Sequence, residues 1–261
     1  MLHPWRATIW LLAALISARA VAYEPGSDLF QARTIVTGTD ARERPEGFRR
    51  TLLDVLVKAS GDPSIAEAPG VAAALNDAGA MVEDFRYADR DWELPLHDEQ
   101  GTEDRPYDLT VRFAPECVRL ALASLGHAVW AGERPPLLLH VTVERDGDKY
   151  TVTADGNAAD TARQAAAMAA DRYAMRIVLP PSVSGDTPED RLGLVPLQIP
   201  GAVELEGSLA WSDRDSGYDG EWTLAAAGEH RWRVRGASLD EAFRNAVLGA
   251  MKVLSGNGEP G

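Results

Sequence analysis

The chain of 261 residues has one cysteine, Cys117, so no intrachain disulfide can form and the core alone must hold the fold, even in an oxidising compartment. Basic side chains are the minority: 26 Lys plus Arg stand against 40 Asp plus Glu, a net charge of −14. The resulting negative potential repels a phosphate backbone and excludes broad nucleic-acid binding. No Gly-x-Ser-x-Gly elbow, phosphate loop or dinucleotide fingerprint occurs, which removes the common marks of serine hydrolases and nucleotide-binding enzymes. Histidine is scarce, and His97, His127, His140 and His230 are never four residues apart, the spacing that sets two imidazoles on one helical face for zinc. On these grounds no catalytic residue, cofactor or metal ligand is assigned.

Long apolar runs are also missing, except at the start. Arg6 precedes an uncharged, mostly apolar stretch over residues 7–18, and Ala20 and Ala22 form an Ala-Val-Ala pattern before Tyr23. This predicts a signal peptide over residues 1–22, cleaved near Ala22. The stretch falls short of the roughly 20 residues that span a bilayer, and no later segment is both long and free of charge. The expectation is an exported, soluble, periplasmic protein with no transmembrane segment after cleavage. Cleavage removes Arg6 and Arg19, so the acidity belongs to the mature chain.

Apolar spacing organises the remainder. Residues 29–36 predict a strand, and Phe48, Leu52, Val55, Leu56 and Ala59 recur on one face of a helix that Ser60-Gly61-Asp62-Pro63 stops. Tyr107, Leu109, Val111 and Phe113 alternate along a half-buried strand, and Pro115 opens a helix with Val118, Ala121, Leu122 and Leu125 on one face. The pause at Gly132-Glu133-Arg134-Pro135-Pro136 is read as a boundary. Beyond it come a strand from Leu137, a turn at Asp146-Gly147-Asp148, an Ala-rich helix over 158–173 and a proline-rich connector over 180–201. Trp211, Trp222 and Trp232 mark three further strands, and Ser238 with Glu241 forms a capping box ahead of the apolar stripe of Phe243, Val247 and Met251. The predicted class is α+β: two α/β sandwich-like units over residues 23–133 and 134–255, with helices packed on mixed or antiparallel sheets, then a flexible tail over 256–261.

Each candidate site has a functional and a packing reading. Trp130 and Arg134 flank the boundary, where an aromatic and an arginine suit partner recognition; alternatively Trp130 packs in the junction and Arg134 caps a carboxylate. Arg231, Arg233 and Arg235 alternate with Trp232 and Val234, so a strand presents three guanidinium groups that could dock an acidic partner; alternatively they pair with Glu221 or Glu229 across a hairpin. The acidic loop over 89–104, and the carboxylates of residues 213–221, could gather calcium, or be a solvated loop and a hairpin turn. Cys117 reads as a small buried hydrophobe rather than a reactive thiol.

Taken in order, Gly47-Phe48-Arg49-Arg50-Thr51-Leu52-Leu53-Asp54 continuing to Asp62, then Phe85-Arg86-Tyr87, Leu109-Thr110-Val111-Arg112-Phe113, Trp130-Ala131-Gly132-Glu133-Arg134-Pro135 and the later block from Gly236 to Ala242 resemble an uncharacterised exported family of gram-negative bacteria, domain of unknown function 2066 (DUF2066). The resemblance implies export and an α+β build and brings no activity. The sequence thus points to a non-enzymatic, envelope-associated binding or scaffold protein, with an unidentified protein or cell-envelope partner. The alternatives are a periplasmic hydrolase using the acidic residues of 89–104 and a calcium-stabilised structural module.

Overall fold

The computed structural model of the chain describes residues 29–90, 106–155, 159–182 and 199–260, with the backbone of 22–23. Residues up to 21, where a signal peptide is expected, and residues 91–105 and 183–198, where an acidic loop and a proline-rich connector are expected, lie outside the described residues. The fold is α+β, with two sheets and two apolar cores.

The first strand, β1 (Ala22–Tyr23), belongs to the second sheet, whereas β2 (Gln31–Thr37) opens the first. Helix α1 (Arg44–Ser60) follows; Pro45 lies in its first turn, and Gly61 closes it at φ 74°, donating its N–H to the Val57 carbonyl at 2.9 Å. Helices α2 (Val71–Asn76) and α3 (Ala78–Met81) lead to β3 (Val82–Asp89), β4 (Pro106–Phe113) and α4 (Pro115–Ser124). The sheet runs β2-β4-β3, antiparallel throughout. Its inner face presents Val36, Leu109, Val111 and Phe113 to Leu52, Val55 and Leu56 of α1 and Val118 and Leu122 of α4. The period-2 and period-3.6 stripes seen in the sequence therefore meet.

The second unit comprises β5 (Leu137–Arg145), β6 (Asp148–Thr151), α5 (Asp160–Tyr173), β7 (Ile177–Val178), β8 (Val203–Ser212), β9 (Gly217–Ala225), β10 (Glu229–Ala237) and α6 (Leu239–Leu254). Its sheet runs β1-β7-β5-β8-β9-β10, with β6 also on β5. The sheet is mixed, since β7 and β8 run parallel to β5 and the other pairs are antiparallel. Asp146 and Gly147, at φ 55° and 85°, form the two-residue turn from β5 to β6, both in the left-handed region that such hairpins require. Helix α5 buries Ala162, Ala165, Ala166, Ala169 and Ala170, small side chains that let it lie close to the sheet and to α6. The capping box of α6 forms with both of its hydrogen bonds.

Helix α1 joins the units. Leu53 packs against both cores, Val57 belongs to the second, and Asp54 receives Arg172 of α5 at 2.6 Å. The end of α6 reaches back to the same place: Ser255 donates its hydroxyl to the Gly61 carbonyl at 2.9 Å, and Asn257 its amide to the Ser60 carbonyl at 3.2 Å. A Cβ on Gly61 would lie 2.5 Å from that of Ser255, so this glycine is required by both its φ and the approach. Of the tail expected over 256–261, residues 256–260 are described and make contacts. The Gly256 and Asn257 amides bond to carbonyls of α6, and Glu259 accepts from His230 at 2.8 Å. Among the described residues no helix is long and apolar enough to cross a membrane.

Candidate functional site

Trp130 and Arg134 sit in the joint. The Arg134 guanidinium lies 4.3 Å from the centroid of the Trp130 ring and donates to the carbonyls of Lys58 at 2.6 Å and Tyr173 at 3.2 Å. It thus caps the ends of α1 and α5 through backbone carbonyls rather than a carboxylate. Burial lowers its pKa to about 10. Both side chains are half-buried, so the surface they offer a partner is small. Arg134→Ala strips two carbonyls of their donor and is expected to cost about 2 kcal/mol of stability. The check is urea unfolding with the slope unchanged; a loss below about 0.5 kcal/mol would mean that the bonds hold nothing.

The β10 arginines are placed on the outer face of the second sheet, at its edge. Arg231 pairs with Glu229 at 2.8 Å and Arg233 with Glu221 at 2.6 Å, while Arg235 is exposed. Two of the three charges are therefore neutralised locally, and such exposed pairs add little to stability. The carboxylates of 213–221 serve the hairpins: Asp213 accepts from the Trp211 indole, Asp215 from the Ser212 hydroxyl and Asp219 from the Gly236 amide. Of the other candidates, Cys117 is half-buried in α4, His127 lies 3.3 Å from Asp62, and His97 is outside the described residues. Glu259 raises the His230 pKa by accepting its hydrogen bond. Among the described residues no three His, Cys, Asp or Glu side chains converge as a metal site.

What the fold does assemble is a cleft of about 720 Å³ between the first sheet and the helices of the joint. Its volume falls within the range typical of ligand sites. The sheet contributes Arg33 and Arg86, the residue after β3 is Arg90, α1 contributes Arg50 and Lys58, and α5 and α6 contribute Arg172 and Arg244. Among the described residues, four carboxylates, Asp54, Asp108, Asp171 and Asp240, stand against these seven cations. A concave surface with excess positive charge in a protein of net charge −14 concentrates anions locally. Asp108 lies between Arg33 and Arg90, 3.7 Å from each. Burial raises the Asp54 pKa, opposed by Arg172 and Lys58. Arg86 and Arg244 make neither hydrogen bond nor ion pair among the described residues. Ile35 and Met168, about half exposed, add apolar surface.

Sequence reasoning missed this cleft. Its cations come from five elements and the residue after β3, and no run or spacing announces them. The one local hint was that Arg50, Asp54 and Lys58 follow one another at i, i+4 and i+8 along the flank of α1, outside its apolar stripe.

Comparison with known proteins bears on the first unit. Residues 24–131 match a domain of unknown function, DUF8605. This is a different family from DUF2066, and it replaces that resemblance over the span matched. No curated protein and no solved structure matches the chain. The family matched by the first unit is therefore a domain of unknown function, and it assigns no activity to the cleft that unit helps to form.

Proposed function

We propose that this chain is a non-enzymatic binding protein of the cell envelope, exported through its N-terminal segment, and that it holds an anionic partner in the basic cleft. The observation that carries this reading is the charge of the cleft: among the described residues, seven cations against four carboxylates in an otherwise strongly acidic molecule. Two of those cations, Arg86 and Arg244, form no ion pair among the described residues, although Arg244 lies near enough to favour the charged forms of Asp54 and Glu241. The titratable groups on the α1 wall are held in place rather than poised for chemistry. Lys58 donates its ammonium to the Gln31 carbonyl, and Asp54 is taken by Arg172.

The test is crosslinking in the native host from a photo-reactive residue at Met168, followed by mass spectrometry. Arg86→Glu with Arg244→Glu is expected to lower the yield of the crosslinked partner about tenfold or more, at unchanged melting temperature. Arg231→Glu with Arg233→Glu should leave it unaltered. A yield that follows the β10 substitutions and ignores those in the cleft would overturn the proposal and return recognition to β10.

A further inference from the structure

We infer that the cleft binds its partner as an extended acidic polypeptide segment that adds a strand to the free edge of β2. This rests on the reading of the cleft as an anion site and deepens it.

The parity of β2 decides which main-chain groups face the cleft. Phe113 donates its N–H to the Phe30 carbonyl at 2.9 Å, and the register continues through Ala32 with Val111, Thr34 with Leu109 and Val36 with Tyr107. In an antiparallel ladder those residues turn both main-chain groups toward β4. Gln31, Arg33 and Ile35 therefore turn theirs outward. Two side chains agree with this parity, for Lys58 donates to the Gln31 carbonyl and Arg50 to the Ile35 carbonyl, the latter at 3.3 Å. Among the described residues, the edge that remains offers three N–H donors, at Gln31, Arg33 and Ile35, and one carbonyl, that of Arg33. Residues 31–35 all line the cleft.

An exposed strand edge invites pairing, and proteins usually defend it with bulges, charge or a cover. Two other edge strands of this protein follow that rule. The register of β3 shifts between Val82 and Asp84, and that of β10 between Val234 and Ala237. The register of β2 is unbroken from Gln31 to Thr37, and its one charged side chain, Arg33, lines a basic concavity. Main-chain bonds to an added strand supply affinity without regard to sequence, and the side chains supply selectivity. Here the donor excess of the edge and the arginines on both walls select carboxylates. Half-exposed Ile35 and Met168 suit an apolar residue at alternate positions.

The probes are an eight-residue peptide of alternating Glu and Val, and inorganic tripolyphosphate, each titrated into the full chain. The readouts are calorimetry and amide hydrogen exchange by NMR. The peptide is expected to bind, to lose at least about tenfold in affinity with Arg86→Glu and Arg244→Glu, and to slow exchange at the Gln31, Arg33 and Ile35 amides by about tenfold or more. Ala32 and Thr34, already bonded to β4, should be unchanged. If the peptide binds without slowing those three amides, the added strand is refuted and the anion cleft stands. Binding of tripolyphosphate without binding of the peptide would likewise refute the strand and keep the cleft. If neither binds, both readings fall.

Discussion

Trp222→Ala is expected to lose about 3–5 kcal/mol of stability, a large part of what a domain of this kind possesses. Trp222 is 1% exposed at the centre of β9, directly opposite Gly207 of β8 and Trp232 of β10. Its ring lies 5.9 Å from that of Phe243 of α6. A Cβ on Gly207 would fall 2.1 Å from the ring, so the indole occupies the space that a side chain on β8 would otherwise fill. Removing the indole leaves a void between a glycine and a helix already packed against other strands, and neither can move to close it. Trp222→Phe is the informative control. The indole N–H is buried without a hydrogen-bond partner among the described residues, so phenylalanine gives up volume but no bond and should cost less than about 1.5 kcal/mol. Urea unfolding of both variants decides the matter. An alanine variant within about 1 kcal/mol of wild type would mean that the second core repacks freely.

Lys58 gives the stability an alkaline dependence. This side chain is 1% exposed, and burial lowers its pKa from 10.5 to about 8, with Asp171 and Asp54 pulling it up and Arg134 pushing it down. Below about pH 8 the folded state carries a buried ammonium at a cost. Between about pH 8 and 10.5 the folded protein releases that proton while the unfolded chain keeps it, so the unfolded state binds more protons and stability rises with pH. The shift corresponds to a gain of up to about 3 kcal/mol. Tyr150 and Tyr173, whose phenols burial pushes up from the ordinary value of 10, are present in both proteins of a wild-type and Lys58→Met comparison. The stability difference should therefore move in favour of wild type from pH 8 to 10.5, and a flat difference would contradict the burial cost. Only three lysines occur, Lys58, Lys149 and Lys252, so NMR can follow the amine directly.

Much of the architecture was legible because it is written at short range. The stripe of Phe48, Leu52, Val55, Leu56 and Ala59 marked α1, the alternation from Tyr107 to Phe113 marked β4, and Ser238 with Glu241 marked the start of α6. Each signal lies within a few residues, where helix and strand geometry alone impose the period. The packing alternatives for Arg231 and Arg233 were legible for the same reason, since the hairpin brings Glu221 opposite Arg233 and Glu229 stands two residues before Arg231 on the same strand. The contacts of Ser255, Asn257 and Glu259 were not, because their partners are Gly61 after α1, Ser60 at its end and His230 of β10.

By itself the sequence determined the elements, the α+β class, the net negative charge and the dependence on a core without disulfides. These follow from composition and local periodicity. The tertiary structure alone decided that β5 lies parallel to β8, that Trp130 and Arg134 bind the joint together, and that seven scattered cations line one cleft beside the open edge of β2. Residues as far apart as Arg33 and Arg244 meet only when two independent cores dock through α1. No local spacing records that encounter, because its energy comes from contacts between elements and not from within them.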